Sequence, residues 1–211
     1  FDRSLNEKTR DSVTVVPVRV AGQNEWLAVN HLTVKPGAYS CAVALDLAGR
    51  RAAATGNLHI GRLRGDSLCV SGIILGDPPQ PELSVRSRGV AHVLPRPSRS
   101  FSPQERVSVY CEIYGLAPAD SSGRDYHEKV TVSLVEERKS LLKSVLTGGK
   151  KRVGSLSMSF ERSAGTTAGA AAEQFEIDAV QLKPGKYNLV IEVQERQDGP
   201  LARTESQFTV E

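Results

Sequence analysis

Four histidines, three cysteines and a scatter of serines are the residues best able to do chemistry, and none stands at a spacing that lets it act. His31, His59, His92 and His127 share no metal-ligand interval, and no Cys-x-x-Cys or paired His-Cys spacing marks a zinc site. Asp125, His127 and Glu128 crowd one short stretch, readable as a cation-holding loop or as an exposed polar run. Gly148-Gly149-Lys150-Lys151 lacks the four-residue gap, the Ser/Thr and the following helix of a phosphate loop. No serine occupies a Gly-x-Ser-x-Gly elbow. Arg64-Gly65-Asp66 spells an integrin-binding tripeptide, yet Gly-Asp is also an ordinary turn. The expectation is a chain that is not an enzyme and has no metal and no cofactor.

The cysteines read as packing residues. Cys111 shares strand parity with Val107, Val109 and Ile113, and Cys41 with Tyr39, Val43 and Leu45, so both are expected to point inward as small hydrophobes. Cys69 has the opposite parity to its neighbours Leu68 and Val70. Three free thiols are expected; a Cys41–Cys69 disulfide is the alternative.

Residues that could bind rather than react are easier to find. Between positions 83 and 104, Arg86, Arg88, Arg96 and Arg99 occur with no acid among them, and Arg50, Arg51, Arg62 and Arg64 form a second acid-free set. Such a set is either a solvated basic surface or a contact for lipid headgroups, acidic glycan or an acidic protein. Nucleic acid is not expected, because no aromatics interleave these arginines in a binding motif. Tyr110 and Tyr114 share the parity opposite to the core positions 107, 109, 111 and 113, which would suit a sugar-stacking platform.

The elements that must position these residues are announced by a phrase written twice. Residues 34–45 read Val-Lys-Pro-Gly-Ala-Tyr-Ser-Cys-Ala-Val-Ala-Leu, and residues 182–193 read Leu-Lys-Pro-Gly-Lys-Tyr-Asn-Leu-Val-Ile-Glu-Val. Pro36 and Pro184 preset φ for a tight turn, and Gly37 and Gly185 suit the positive φ of a type II turn. Tyr39 and Tyr187 are placed to bury a ring and return the hydroxyl to upstream backbone, as in a tyrosine corner. Each phrase then alternates apolar and polar residues, the pattern of a strand buried on one face. The fold predicted is all-β: two tandem immunoglobulin-like β-sandwich domains, the first small or incomplete.

Residues 1–12 form a polar arm, and 13–76 the first sandwich, with strands at 13–20, 26–34, 39–47, 51–60 and a short buried one at 68–75. Pro78, Pro79 and Pro81 make 77–82 a stiff linker. The second sandwich, 83–211, has strand candidates at 83–94, 107–116, 130–135, 153–160, 175–182, 187–193 and 201–210. Loops are expected at 117–124 and 163–172, and a short helix or a charged strand at 136–146. With 39% hydrophobic and 5% aromatic residues, the cores must be thin and built from Val, Leu, Ile and Ala.

No stretch approaches the ~20 apolar residues of a membrane span. The only methionine is Met158, so Phe1 is not a translation start, and a signal or longer N-terminal region is expected to have been removed. Residues 65–75 (Gly-Asp-Ser-Leu-Cys-Val-Ser-Gly-Ile-Ile-Leu), 107–114 (Val-Ser-Val-Tyr-Cys-Glu-Ile-Tyr), 182–187 and 207–210 together resemble the C-terminal β-sandwich region of bacterial GWxTD-domain proteins. The likeness spans roughly residues 30 to 211. The naming Gly-Trp-x-Thr-Asp motif is absent, since the sole tryptophan, Trp26, lies in Glu-Trp-Leu-Ala. The resemblance implies an exported bacterial protein with non-catalytic modules and transfers no functional residues.

The function expected is therefore structural: a subunit or spacer of an extracytoplasmic assembly, periplasmic or at the cell surface, that contacts other protein subunits. A carbohydrate-binding module using Tyr110 and Tyr114 is the alternative.

Overall fold

The structure is a computed structural model, and it describes residues 18–19, 26–27, 34–47, 49–61, 67–80, 84–87, 90–116, 124–135, 155–164, 170–195 and 199–211. All regular structure among them is β, apart from one 3-10 turn. The chain divides into two compact units, residues 1–63 and 64–211.

In the first unit, β1 (Val18–Arg19) pairs antiparallel with β2 (Trp26–Leu27), and β3 (Gly37–Leu47) pairs antiparallel with β4 (Arg50–Ile60). The second pair is a long hairpin in unbroken register from Gly37↔Ile60 to Leu47↔Arg50. Gly49, at φ +79°, supplies the left-handed residue its tight turn needs.

The second unit holds β5 (Cys69–Val70), β6 (Ile74–Asp77), β7 (Val85–Ser87), β8 (Val90–Pro95), β9 (Ser100–Phe101), β10 (Arg106–Tyr114), β11 (Arg124–Leu134), β12 (Ser155–Ala164) and β13 (Ala170–Asp178). A 3-10 turn (Ala179–Gln181), β14 (Gly185–Glu195) and β15 (Leu201–Val210) complete it. One sheet runs β13-β10-β6-β8-β7, with β5 also on β10; the other runs β12-β11-β14-β15-β9. All pairings are antiparallel except β9 with β15.

These two sheets enclose one core. The first contributes Leu75, Val107, Val109, Cys111, Ile113 and Ile177, and the second Val130, Val132, Leu189, Ile191, Val193 and Phe208. The alternation behind this is plain in β14, where Tyr187, Leu189, Ile191 and Val193 are buried while Asn188, Val190 and Glu192 are half-exposed. Burying such a face at roughly 25 cal/mol per Å² of apolar surface is the main force holding the sheets together.

The unit boundary differs from the one expected at 77–82. Residues 68–76 do not close the first domain: Val70 pairs with Ile113, Leu75 with Val109, and Ile73 and Leu75 are core residues of the second unit. The Pro78-Pro79 dipeptide follows β6 in the same sheet rather than separating domains, because Asp77 is already paired with Leu94. The expected strand 83–94 is a hairpin of β7 and β8, with a register shift between Val85 and Arg86. The expected strand 175–182 ends at Asp178, whose side chain accepts from Val180 N at 3.1 Å and turns the chain into the 3-10 segment. The expected loops 117–124 and 163–172 are shorter, since β11 begins at Arg124, β12 reaches Ala164 and β13 begins at Ala170. The expectations for 1–12 and 136–146 lie outside the described residues.

Candidate functional site

The two repeated phrases make the same local bond. Tyr39 donates its hydroxyl to the Lys35 carbonyl at 2.6 Å, and Tyr187 donates to the Lys183 carbonyl at 2.7 Å. Burial pushes the Tyr187 phenol above its usual range. The glycines differ from a type II turn. Gly37 has no positive φ, and Gly185 sits at φ +153° rather than near +80°. A Cβ on Gly185 would lie 2.6 Å from Leu134 Cδ1, so close packing is a second reason for glycine there.

The arginine set does not form one contact surface. Arg96 is buried, 3% exposed, and its guanidinium lies 4.4 Å above the Phe101 ring. It bonds Glu105 at 2.8 and 3.2 Å, the Ser100 carbonyl at 2.9 Å and both oxygens of Asp77. Burial works against its charge, but Glu105 and Asp77 outweigh burial and raise its pKa. In return, the Arg96 hydrogen bond, helped by the Ser102 N–H at 2.6 Å, holds Glu105 below the ordinary carboxylate range. Asp77 and Glu105 lie 19 and nine residues from Arg96, so nothing in the run 83–104 announces these partners. Arg99 is exposed, at φ +52°, with Nη1 3.3 Å from Ser206 Oγ. The side chains of Arg86 and Arg88 lie outside the described residues.

Tyr110 and Tyr114 do share the outer face of β10, but the Tyr110 ring is not open for a sugar to stack on. Tyr110 is 3% exposed because the His92 ring stacks on it, centroids 4.4 Å apart and planes at 18°. His92 Nδ1 lies 3.1 Å from Gln174 Oε1, which holds the imidazole in place. Both tyrosine hydroxyls donate to Glu112, Tyr110 at 2.6 Å. Burial and then the Glu112 bond push the Tyr114 phenol strongly upward. A ring covered by a neighbouring strand cannot stack on a sugar.

The polar stretch at 125–128 is divided by strand alternation. His127 is exposed, 3.9 Å from Glu161, whereas Glu128 is fully buried on the face of Tyr126, Val130 and Val132. Glu173, opposite Cys111 on β13, is also buried and accepts from the Tyr126 hydroxyl. These inward acids escaped the sequence reading, although the parity of Glu128 with Val130 and Val132 was available to find it. Among the described residues no group of three or more His, Cys, Asp or Glu could hold a metal ion.

All three thiols are free. Burial, then the charges of Glu128, Glu173 and Glu112, push the Cys111 thiol far upward, so it cannot serve as a thiolate nucleophile. Burial also raises Cys69. Cys41 departs from expectation: it is exposed, its Sγ 3.2 Å from the Gly56 carbonyl.

Among the described residues β12 pairs only with β11, over ten consecutive positions, and β13 pairs only with β10, over nine. Neither strand carries a proline or a register break, two of the usual devices that blunt an edge. Met158 and Phe160 anchor β12 to the core, and exposed Ser157 and Ser159 alternate with them. No helix of the described residues is long and apolar enough to cross a membrane. Compared with known proteins, the chain matches no family model and no curated sequence.

Proposed function

We propose that this chain is a non-catalytic structural and protein-interaction module, a subunit or spacer of a larger extracytoplasmic bacterial assembly. The observation that carries the reading is the position of β12 and β13 at the ends of their sheets among the described residues, where a partner strand would extend either sheet. An enzymatic reading has no comparable support, since the buried polar groups go to packing: Arg96 to Asp77 and Glu105, Tyr126 to Glu173, His92 to Gln174.

We read the second unit as immunoglobulin-like. Support comes from the parallel pairing of β9 with the last strand and from the tyrosine corner where the 3-10 turn enters β14. The likeness of residues 65–75, 107–114 and 182–187 to GWxTD-domain proteins supports the exported, bacterial placement.

The test is the native mass of the chain recovered gently from its source cells, with mass spectrometry of what travels with it. A stoichiometric complex that dissociates on Ser157→Lys/Ser159→Lys is expected. A lone 22.8 kDa species, or a complex indifferent to these changes, removes the reading.

A further inference from the structure

The bond between Asp77 and Pro78 is the one Asp-Pro link in the chain. Such links are labile in acid. The aspartate side chain can attack its own main-chain carbonyl, and the tertiary amide nitrogen of proline leaves once protonated. A carboxylate oxygen bonds to the Asp77 carbonyl carbon, the C–N bond breaks, and Pro78 departs as the amine with a proton from water. Water then opens the cyclic anhydride and leaves Asp77 as a free C-terminus, so the net change is hydrolysis.

In the folded chain both oxygens of that carboxylate are held. Arg96 Nε donates to Oδ2 at 3.2 Å and Nη2 donates to Oδ1, a planar two-point grip. The grip is itself anchored, because the same guanidinium bonds Glu105 and the Ser100 carbonyl and lies over Phe101. Asp77 is fixed from the backbone side by its pairing with Leu94 at the end of β6. The leaving side of the bond is open to water, since Pro78 and Pro79 are exposed. The hold on the nucleophile therefore protects the bond more than burial does.

A cut here leaves β5 and β6 on the N-terminal piece. Both strands pair with β10, from Tyr114↔Cys69 to Ser108↔Gly76, and Ile73 and Leu75 lie in the core of the second unit.

We infer that Asp77–Pro78 is a latent processing site: acid hydrolysis cuts the chain there when Arg96 releases the Asp77 carboxylate, and the pieces 1–77 and 78–211 stay joined through β5 and β6. Arg96 then guards the backbone as well as tying strands together. Cutting turns the covalent tether of residues 1–63 to the sandwich into strand pairing.

The full chain is incubated at about pH 4, inside the ordinary carboxylate range, for as long as a synthetic peptide of residues 74–81 takes to be cut. Mass spectrometry follows scission at 77–78, and circular dichroism checks that each chain stays folded. The native chain should be cut at least about tenfold more slowly than the peptide, the rate equivalent of one charged hydrogen bond that must break first. Arg96→Met should be cut at close to the peptide's rate. If it unfolds, Arg96→Lys, which keeps the charge but loses the two-point grip, should still be cut faster than the native chain. Gly185→Ala, destabilised with the grip intact, should be protected like the native chain, and Asp77→Ala should not be cut at this bond. The cut chain should elute as one species in native buffer and as two in urea. A native chain cut at the peptide's rate, or an Arg96 variant as protected as the native chain, overturns the inference. So does a Gly185→Ala chain cut as fast as the Arg96 variant, since overall stability would then be the shield. Scission of Asp77→Ala at 77–78, or pieces that part in native buffer, overturns it as well.

Discussion

The guanidinium of Arg96 meets the carboxylate of Glu105 at two points, Nη1 to Oε2 at 2.8 Å and Nη2 to Oε1 at 3.2 Å. The two residues flank β9, and Asp77 at the end of β6 closes the cluster from the other side. One buried arginine thus ties three consecutive parts of the chain to one sandwich. Replacing it with methionine removes the guanidinium from the Phe101 ring and strands two carboxylates. The expected loss is about 3 kcal/mol, the low end for breaking a buried pair, because both carboxylates retain some solvent. Urea denaturation followed by circular dichroism measures it, and a loss below about 1 kcal/mol would show that the cluster adds little.

The same contact sets a pH dependence. Glu105 titrates lower in the folded chain than its unfolded value of about 4.3. Between those values the unfolded state binds more protons, so this contribution is fully present above the unfolded value and is lost as pH falls through the folded one. The urea midpoint of the native chain should therefore fall in acid more steeply than that of Glu105→Gln. Parallel curves for the two proteins would contradict the assignment.

The two turn glycines should respond differently. Gly185→Ala forces an L side chain into φ +153° and against Leu134, at a cost of about 1–3 kcal/mol. Gly37→Ala meets only the Tyr39 ring, 3.3 Å away, with no positive φ, and should cost less. Thermal unfolding of both variants decides this, and equal losses would mean that the turn shape has been misread.

Removing the corner hydroxyl by Tyr187→Phe should cost about 1 kcal/mol, the net value of one hydrogen bond. Tyr39→Phe should leave the unfolding of the second unit unchanged, since Tyr39 belongs to the other compact unit. A shift of that transition by Tyr39→Phe would couple the units.

Thiol reactivity offers a further check. In the folded chain Cys111 should resist a thiol reagent until urea unfolds the second unit, because burial and three nearby carboxylates suppress its thiolate. Labelling of Cys111 at the rate of Cys41 would show that the sandwich opens readily.

The order of side chains along each strand was legible in the sequence. Alternation of Val, Ile and Leu with polar residues decides which face is apolar, and the repeated Lys-Pro-Gly-x-Tyr phrase decides where β3 and β14 begin. Parity also placed Cys111 in the core and put Tyr110 and Tyr114 on one face. What parity cannot carry is the identity of whatever lies across that face. Tyr110 became buried because His92 folds over it from a strand 18 positions earlier, whereas Cys41, at an equivalent inward parity, is exposed. Arg96 left the surface because Asp77 and Glu105 converge on it, and Glu128 turned inward with its strand. Alternation is local, set by backbone geometry every two residues. Burial and charge pairing are decided by segments far apart in the chain, and only the folded arrangement brings them together.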